Sequence, residues 1–184
     1  MGVRPGFNRL ILLKTMLSAE QQQGEARSLD DGIASKFATA DGVKLHYLQA
    51  GEGPVLLLLH GYAQTSLMWR PAMTELRKRF TVIAPDLPGI GDSEIPAKGL
   101  DMKSAAVTIH ALMTSLGVTK AGVVGHDIGL MVAYAYAAQF PAETEKLVVM
   151  DAFLPGVGDW QPFYNDPRNW HFLGDWNCAG LVTR

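Results

Sequence analysis

A short segment between two apolar runs constrains the fold of this chain more than any other stretch. Gly125-His126-Asp127-Ile128-Gly129 follows the apolar run 121–124 and precedes a long apolar helix pattern over residues 130–140. This order predicts a strand, a tight turn and a helix, because small residues two positions either side of Asp127 permit a turn in which larger side chains would clash. We expect Asp127 at the tip of the strand, above the edge of a sheet.

The side chain at the centre of this turn is a carboxylate, and that decides which chemistry the turn can support. An aspartate with an ordinary pKa of about 3.9 is ionised at neutral pH and can attack without a base. Its natural target is a saturated carbon with a leaving group, and displacement leaves an alkyl ester on the enzyme. An isolated Asp-x-Gly after a strand is more often a turn or a helix cap. The chemical interpretation therefore depends on the rest of the chain.

Length and composition indicate one soluble globular unit with a substantial core. The chain has 184 residues, 48% of them apolar, and a formal net charge of −2. It has neither a basic face nor a polybasic run, which argues against a nucleic-acid partner. The single cysteine, Cys178, excludes an internal disulfide framework and a cysteine-rich metal site. We expect neither a metal nor a cofactor.

Residues 1–31 are predicted to form an N-terminal arm. Arg4 and Arg9 precede an apolar run over residues 10–13, which resembles a secretion signal, but Lys14 ends that run short of the roughly 7 residues such a signal needs. We therefore expect a cytoplasmic protein, with export as the minority alternative. No later apolar stretch approaches the roughly 20 residues of a membrane span, so no membrane partner is expected.

Strand and helix patterns alternate along the chain that follows. Beside the strand before Asp127, strands are predicted at Ile33–Ala40, 43–49, Val55–Leu59, Thr81–Pro85 and 146–150, and helices at 71–79 and after Asp101. Asp41-Gly42, between the first two strands, is a strong hairpin signal. Alternation of this kind predicts an α/β fold with a mostly parallel, doubly wound sheet and right-handed crossovers.

Ligands of such open sheets bind at the carboxyl ends of the strands. Those ends carry His60-Gly61-Tyr62, Asp86, Asp127 and Asp151. The glycine-rich loop 86–93 lacks the third glycine of a dinucleotide fingerprint, so we reject a nucleotide role for it.

Three motifs in this order resemble the α/β-hydrolase fold family, and within it the epoxide hydrolase and dehalogenase branch that uses an aspartate nucleophile. They are His60-Gly61-Tyr62 with Trp69 after it, the loop 86–93, and the segment 125–129. Any one of them alone is a weak signal, but the three together favour the chemical interpretation of Asp127. The match covers roughly residues 37–172.

The resemblance also divides the chain. It implies the N-terminal part of an α/β-hydrolase core over residues 32–156, and over residues 157–184 either the beginning of a cap region or an aberrant tail. Members of the family continue through a helical cap, further strands and a late histidine that is the catalytic base. This sequence ends at Arg184, so we expect a truncated or partial chain that is incomplete for turnover.

By the same resemblance, Asp127 is the nucleophile, and the backbone N–H groups of Tyr62 and Ile128 form the oxyanion hole. Two fixed donors there would stabilise the oxyanion that develops when water attacks the ester. Asp151 is either a relay acid that orients the catalytic histidine or a turn cap. His171 is either a cap histidine that helps donate a hydrogen bond to the epoxide oxygen or a surface side chain. The residues that support the motifs are His60, Gly61, Trp69, Gly125, His126 and Gly129.

The resemblance implies a hydrolase that opens a small hydrophobic epoxide, with water as co-substrate. Haloalkane dehalogenases usually carry Trp after the nucleophile and often Asn after His-Gly, where this chain has Ile128 and Tyr62, and the Arg of fluoroacetate dehalogenases is also absent. Epoxide opening is therefore favoured over a haloalkane or haloacid dehalogenase, although Ala63 replaces a common proline. The alternative from another class is a non-catalytic remnant that binds a hydrophobic ligand or another chain. Self-association into a homo-oligomer is left open.

Overall fold

The computed structural model describes residues 27–29, 32–154, 157–159 and 161–166, and seven strands of this part form one sheet. The strands are β1 (Arg27–Leu29), β2 (Ile33–Ala40), β3 (Val43–Ala50), β4 (Val55–Leu59), β5 (Thr81–Pro85), β6 (Ala121–His126) and β7 (Thr144–Met150). Their order across the sheet is β1-β2-β3-β5-β4-β6-β7. The helices are a 3₁₀ helix (Ser66–Trp69), α1 (Arg70–Leu76), α2 (Met102–Ser115), α3 (Ile128–Gln139) and α4 (Gln161–Tyr164).

The sheet has a parallel half that carries the turn at Asp127 and an antiparallel half at the start of the chain. β5, β4, β6 and β7 are parallel neighbours. β1, β2 and β3 form an antiparallel meander whose last strand pairs antiparallel to β5. β2 therefore runs in the same direction as the parallel strands, and only β1 and β3 oppose them. This arrangement confirms the predicted mostly parallel α/β sheet.

Helices cover both faces of the sheet, and the central strand β4 has apolar side chains on both sides. Leu57 and Leu59 point into one core with α2 and α3, whereas Leu58 points into a second core with Met73 of α1. Side chains alternate between the two faces of a strand, so a continuous leucine run fills both cores. The central position predicted for this strand is confirmed.

The hairpin predicted between β2 and β3 is present. Ala40 and Val43 are register partners, and Asp41 and Gly42 both have positive φ, at 51° and 74°. A two-residue turn with positive φ at both central positions matches the right-handed twist of the flanking strands. Asp and Gly tolerate this conformation better than other residues, which explains the strength of the sequence signal.

Two helix boundaries differ from the predicted ones. α1 ends at Leu76, because the chain turns over residues 77–79 where the backbone of Gly51 packs against the carbonyl groups of Arg77 and Phe80. α3 begins at Ile128, two residues before the predicted start, because Asp127 makes the whole turn by itself. The cap predicted at Asp101 is confirmed: its carboxylate accepts hydrogen bonds from two amides in the first turn of α2, both at 3.0 Å.

Both terminal segments of the predicted division contain a described element. β1 lies within residues 1–31, predicted as an arm, and pairs antiparallel with β2. α4 lies within residues 157–184. The division into residues 1–31, 32–156 and 157–184 stays a prediction. Among the described helices, none combines the length and the apolar character that a membrane crossing requires.

Two glycines let the first turn of α3 pack directly against the strands beneath it. A Cβ on Gly125 would lie 2.3 Å from the carbonyl oxygen of Gly129 and 2.7 Å from Cβ of Ala133. A Cβ on Gly129 would lie 2.5 Å from the carbonyl oxygens of Leu59 and His60, at the end of β4. Real Cβ atoms do not approach backbone so closely, so the predicted need for small residues at 125 and 129 is met.

Asp86 connects the loops after β4 and β5 to strand β3. One carboxylate oxygen accepts from the amide of Ser66 at 2.7 Å, and the other accepts from Nδ1 of His46 at 2.8 Å and from the amide of Asp92 at 3.0 Å. Burial by itself would raise the pKa of Asp86, but these hydrogen bonds outweigh it and lower the pKa from 3.8 to about 2. Asp86 is therefore a buried anion that joins the loops after β4 and β5 to β3.

We predict that Asp86→Ala lowers the free energy of unfolding by about 3–5 kcal/mol, because it leaves several buried donors without an acceptor. Urea denaturation measures the change. Glu75→Ala is the matched control, since it removes a carboxylate from an exposed pair with Lys78, where both side chains are more than half accessible, and should cost about 0–1 kcal/mol. Equal losses for the two variants would contradict the role given to Asp86.

The stability that Asp86 contributes should also depend on pH. A carboxylate whose pKa is lower in the folded chain stabilises it fully above the unfolded pKa, and that contribution is lost as the pH falls through the folded pKa. The difference in free energy of unfolding between wild type and Asp86→Asn should therefore narrow as the pH falls from 3.8 to about 2. Denaturation curves across that range test this, and a constant difference would contradict it.

Gly125→Ala should destabilise the chain by about 1–3 kcal/mol, because the new methyl group meets backbone that cannot move away. Gly122→Ala, on the same strand, is the control. Its Cβ would lie 2.9 Å from the flexible end of the Leu56 side chain and near no backbone closer than 3.9 Å. Thermal unfolding of both variants gives the comparison, and a stable Gly125→Ala would contradict the tight packing of α3.

Candidate active site

Asp127 is held in a sharply turned backbone conformation between β6 and α3. Its φ is 52° and its ψ is −122°, a region that costs energy for any residue other than glycine. Its amide donates to the carbonyl of Met150 at 3.0 Å, and its own carbonyl accepts from the amide of Leu130 at 2.9 Å. The turn lifts the carboxylate to the carboxyl ends of β4 and β6, where the side chain is half-buried.

One of the two amides predicted as oxyanion donors contacts this carboxylate, and the other follows it directly in the chain. The amide of Tyr62 donates to Oδ2 of Asp127 at 2.8 Å. Ile128 is the first residue of α3, so its amide has no acceptor within the helix, and it belongs to the positive end of the helix dipole. Within the described part of the chain, Asp127 has no ion-pair partner.

The loop that carries Tyr62 is closed by a residue that the sequence analysis did not select. Oε1 of Gln64 accepts from the amide of Gly61 at 3.0 Å, and the amide of Gln64 donates to the carbonyl of Gly61 at 3.3 Å. Ala63, between them, has a φ of 53°. The sequence carries no signal for this closure, because the side chains that commonly bond their own turn backbone are those of Asn, Asp, Ser and Thr.

Gly61 allows the loop to approach Asp127. A Cβ at this position would lie 2.8 Å from Cβ of Asp127 and 2.8 Å from Nδ1 of His126. The nucleophile candidate and the imidazole before it therefore flank the same glycine. Any other residue at position 61 would push the Tyr62 amide away from the carboxylate.

His60 is a buried connector between two loops. The neutral tautomer with its proton on Nδ1 satisfies both ring nitrogens: Nδ1 donates to the carbonyl of Gly61 at 3.0 Å, and Nε2 accepts from the amide of Leu87 at 2.9 Å. Burial lowers its pKa, against the opposing effects of the Gly61 hydrogen bond and the Asp86 charge. His60 thus supports the site and has no nitrogen left to take a proton from water.

Asp151 lies beside the turn but contacts a histidine other than the one the family resemblance implies. It directly follows β7, has a φ of 63°, and its Oδ2 lies 3.2 Å from Nε2 of His126. The family resemblance implies a motif-supporting role for His126 and, for Asp151, the role of either a relay acid or a turn cap. The pair depends on the register of β6 with β7, in which His126 is opposite Met150.

The remaining candidates lie away from Asp127 or outside the described residues. Trp69 is 8% exposed and packs with Leu58 and Met73 in the core on the α1 face, so its contacts are those of a packing residue. His171 lies outside the described residues, and its proposed role stays a prediction.

One group of described side chains has the composition of a metal site. Ligand atoms of His46, Asp86 and Asp92 all lie within 4.8 Å of one another. Both oxygens of Asp86 already accept hydrogen bonds, and the proton on Nδ1 of His46 explains the short contact between those two residues. These hydrogen bonds account for the cluster without a cation.

Comparison with known proteins gives the family. A family model described as alpha/beta hydrolase fold matches residues 54–177. The soluble epoxide hydrolase of Corynebacterium sp. (strain C12) is 42% identical over 125 residues, which are 68% of this chain and 43% of that protein.

Two solved structures extend the comparison. Cfl2 from Burkholderia cenocepacia superimposes with a TM-score of 0.71 at 34% identity and covers 80% of this chain and 53% of its own. The epoxide hydrolase CorEH gives a TM-score of 0.66 at 34% identity, with 82% and 55% covered. This chain therefore spans about half the length of these relatives or less. The described fold and the match over residues 54–177 show that the chain belongs to the α/β-hydrolase fold family.

Proposed function

We propose that this chain is of the epoxide hydrolase type and opens an epoxide by attack of the Asp127 carboxylate. One carboxylate oxygen forms a bond to an epoxide carbon, the bond from that carbon to the ring oxygen breaks, and the alkoxide takes a proton from water. The product is a hydroxyalkyl ester on Asp127, which water then hydrolyses to a diol. A dehalogenase and a non-catalytic binding remnant are the alternatives.

The observation that carries this proposal is the hydrogen bond of 2.8 Å from the Tyr62 amide to Oδ2 of Asp127. That donor holds one carboxylate oxygen at the start of α3 and leaves the other oxygen to attack. When water later attacks the ester, the held oxygen becomes the oxyanion, which the amides of Tyr62 and Ile128 would stabilise. Losing one such donor typically costs about 10²–10³ in rate.

The surroundings of Asp127 favour an apolar substrate. Exposed hydrophobic side chains occur in the segments that directly follow β4, β5 and β7, strands whose carboxyl ends lie at the same edge of the sheet as Asp127; they are Tyr62, Leu67, Ile95, Leu100, Phe153 and Val157. A small hydrophobic epoxide would bury part of this surface on binding. Relatives named epoxide hydrolases, at 34–42% identity, support the same substrate class.

Hydrolysis of the ester needs a positioned base, and the described histidines are poorly placed for it. His126 contacts Asp151 through Nε2, and its Nδ1 is buried. His60 uses both ring nitrogens within the fold, and His46 lies between Asp86 and Ser35. His110 stacks on Phe140 and bonds to Glu143. Glu143 directly precedes β7, so this pair lies at the end of the strand opposite to Asp151. We therefore expect the ester to form faster than it is hydrolysed by this chain.

The proposal predicts a covalent adduct on Asp127. The protein is mixed with a small aromatic epoxide, such as styrene oxide, quenched in acid, and measured by intact mass and peptide mapping. Wild type should gain the mass of one epoxide on the peptide that contains residue 127, and Asp127→Asn should gain none, because a neutral amide is a far weaker nucleophile.

Asp92→Asn is the matched control, because it neutralises an exposed aspartate in the loop after β5, at the same edge of the sheet. This variant should form the adduct as wild type does. Absence of an adduct in wild type, or an adduct that persists in Asp127→Asn, would contradict the proposal, and the first result would favour a binding remnant.

A further inference from the structure

The end of β7 holds the turn at Asp127 through two separate contacts. The carbonyl of Met150 accepts from the amide of Asp127 at 3.0 Å, and the carboxylate of Asp151 lies 3.2 Å from Nε2 of His126. One contact is between backbone groups and the other is between side chains. Met150 and Asp151, which are consecutive at the end of β7, thus contact Asp127 and His126, which are consecutive at the end of β6.

The second contact determines which nitrogen of His126 carries the proton. A carboxylate can only accept, so Nε2 is the donor, and the neutral ring has a lone pair on Nδ1. Nδ1 is buried and has no hydrogen-bond partner among the described residues. A proton on Nδ1 would place a buried donor without an acceptor there, and it would leave the Asp151 carboxylate facing a lone pair on Nε2.

The position of this ring affects the loop that carries the Tyr62 amide. The position that a Cβ on Gly61 would occupy lies 2.8 Å from Nδ1 of His126 and 2.8 Å from Cβ of Asp127. The unprotonated edge of the imidazole therefore packs against the loop next to the carboxylate. A rotated or displaced ring would meet Gly61 and change the distance from the Tyr62 amide to Oδ2 of Asp127.

We propose that His126 is a positioning residue for Asp127, and that Asp151 acts through it by holding the imidazole in its Nε2–H tautomer. In this arrangement the ring sets the spacing between the Tyr62 amide and the attacking carboxylate. This inference rests on the proposed function of Asp127 and adds a role for the pair. It differs from a relay acid, because Asp151 here serves a histidine that takes no proton from water.

Two substitutions at Asp151 separate the hydrogen bond from the charge. Asp151→Gly removes the acceptor and suits the φ of 63° at this position, so it introduces no backbone strain. Asp151→Asn also tolerates this conformation and keeps an oxygen that can accept from Nε2–H, but it carries no charge. The Asp151 side chain is 81% exposed, so both variants should fold.

Glu143→Ala is the matched control. It removes another carboxylate that pairs with a histidine, His110, at 2.8 Å, just before the opposite end of β7. Each protein is tested in two ways. Nitrogen-15 NMR of the labelled imidazoles reports the tautomer of His126, and rapid quench with styrene oxide gives the rate of adduct formation on Asp127 at saturating epoxide.

Wild type, Asp151→Asn and Glu143→Ala should show the Nε2–H tautomer of His126 and similar rates. Asp151→Gly should show a mixture of tautomers and a rate lower by about 10- to 100-fold, as expected when a reacting group is misplaced. An unchanged rate or an unchanged tautomer in Asp151→Gly would overturn the positioning role alone. Absence of an adduct in wild type would overturn both this role and the proposed function.

Discussion

The close approach of the end of β4 to the first turn of α3 is the constraint on which the rest of the site depends. Gly129 lies against the carbonyl groups of Leu59 and His60, and this contact places the Tyr62 amide within 2.8 Å of Asp127 Oδ2. These two residues are 65 positions apart in the chain. The packing of a helix backbone on a strand end therefore creates this geometry around the carboxylate of Asp127.

Polar groups buried under the turn keep the loops in place. Asp86 accepts hydrogen bonds from two loops and from β3, and His60 joins the loop after β4 to the loop after β5. Each of these side chains is fully bonded, so each costs little as a buried group and strongly restricts the backbone around it. The scaffold thus uses buried polar contacts for rigidity and leaves the carboxylate of Asp127 accessible at the rim.

Much of the fold follows from local sequence signals. β2, β4 and β5 have the predicted bounds, because turn residues flank β2 and β4 on both sides and follow β5. The antiparallel β1 lies in a polar segment that is predicted as an arm, and only its pairing with the adjacent β2 makes it a strand. The start of β7 was also missed, because Thr144 and Glu145 are polar residues on a strand that is largely exposed. The strand propensities of the residues do not reveal a strand that forms only because it pairs with a neighbouring strand.

The same limit applies to the site. The glycines and Asp127 were identifiable, since their spacing is a local property of the turn. The contact of His126 with Asp151 was not, because it depends on the register of β6 with β7, and neither did the sequence indicate that Gln64 folds back on Gly61. Side chains whose partners lie on other strands carry no signature in a single sequence.

β7 both supports the turn at Asp127 and lies at an edge of the described sheet. It supports the turn through Met150, and at this edge Leu147, Val148 and Val149 have 36%, 47% and 48% exposure. Strands with one neighbour and little cover open locally at lower free energy than central strands do. The amide of Asp127 is bonded to this strand, so its exchange with solvent deuterium would follow the fraying of β7 while the interior of the sheet stays protected.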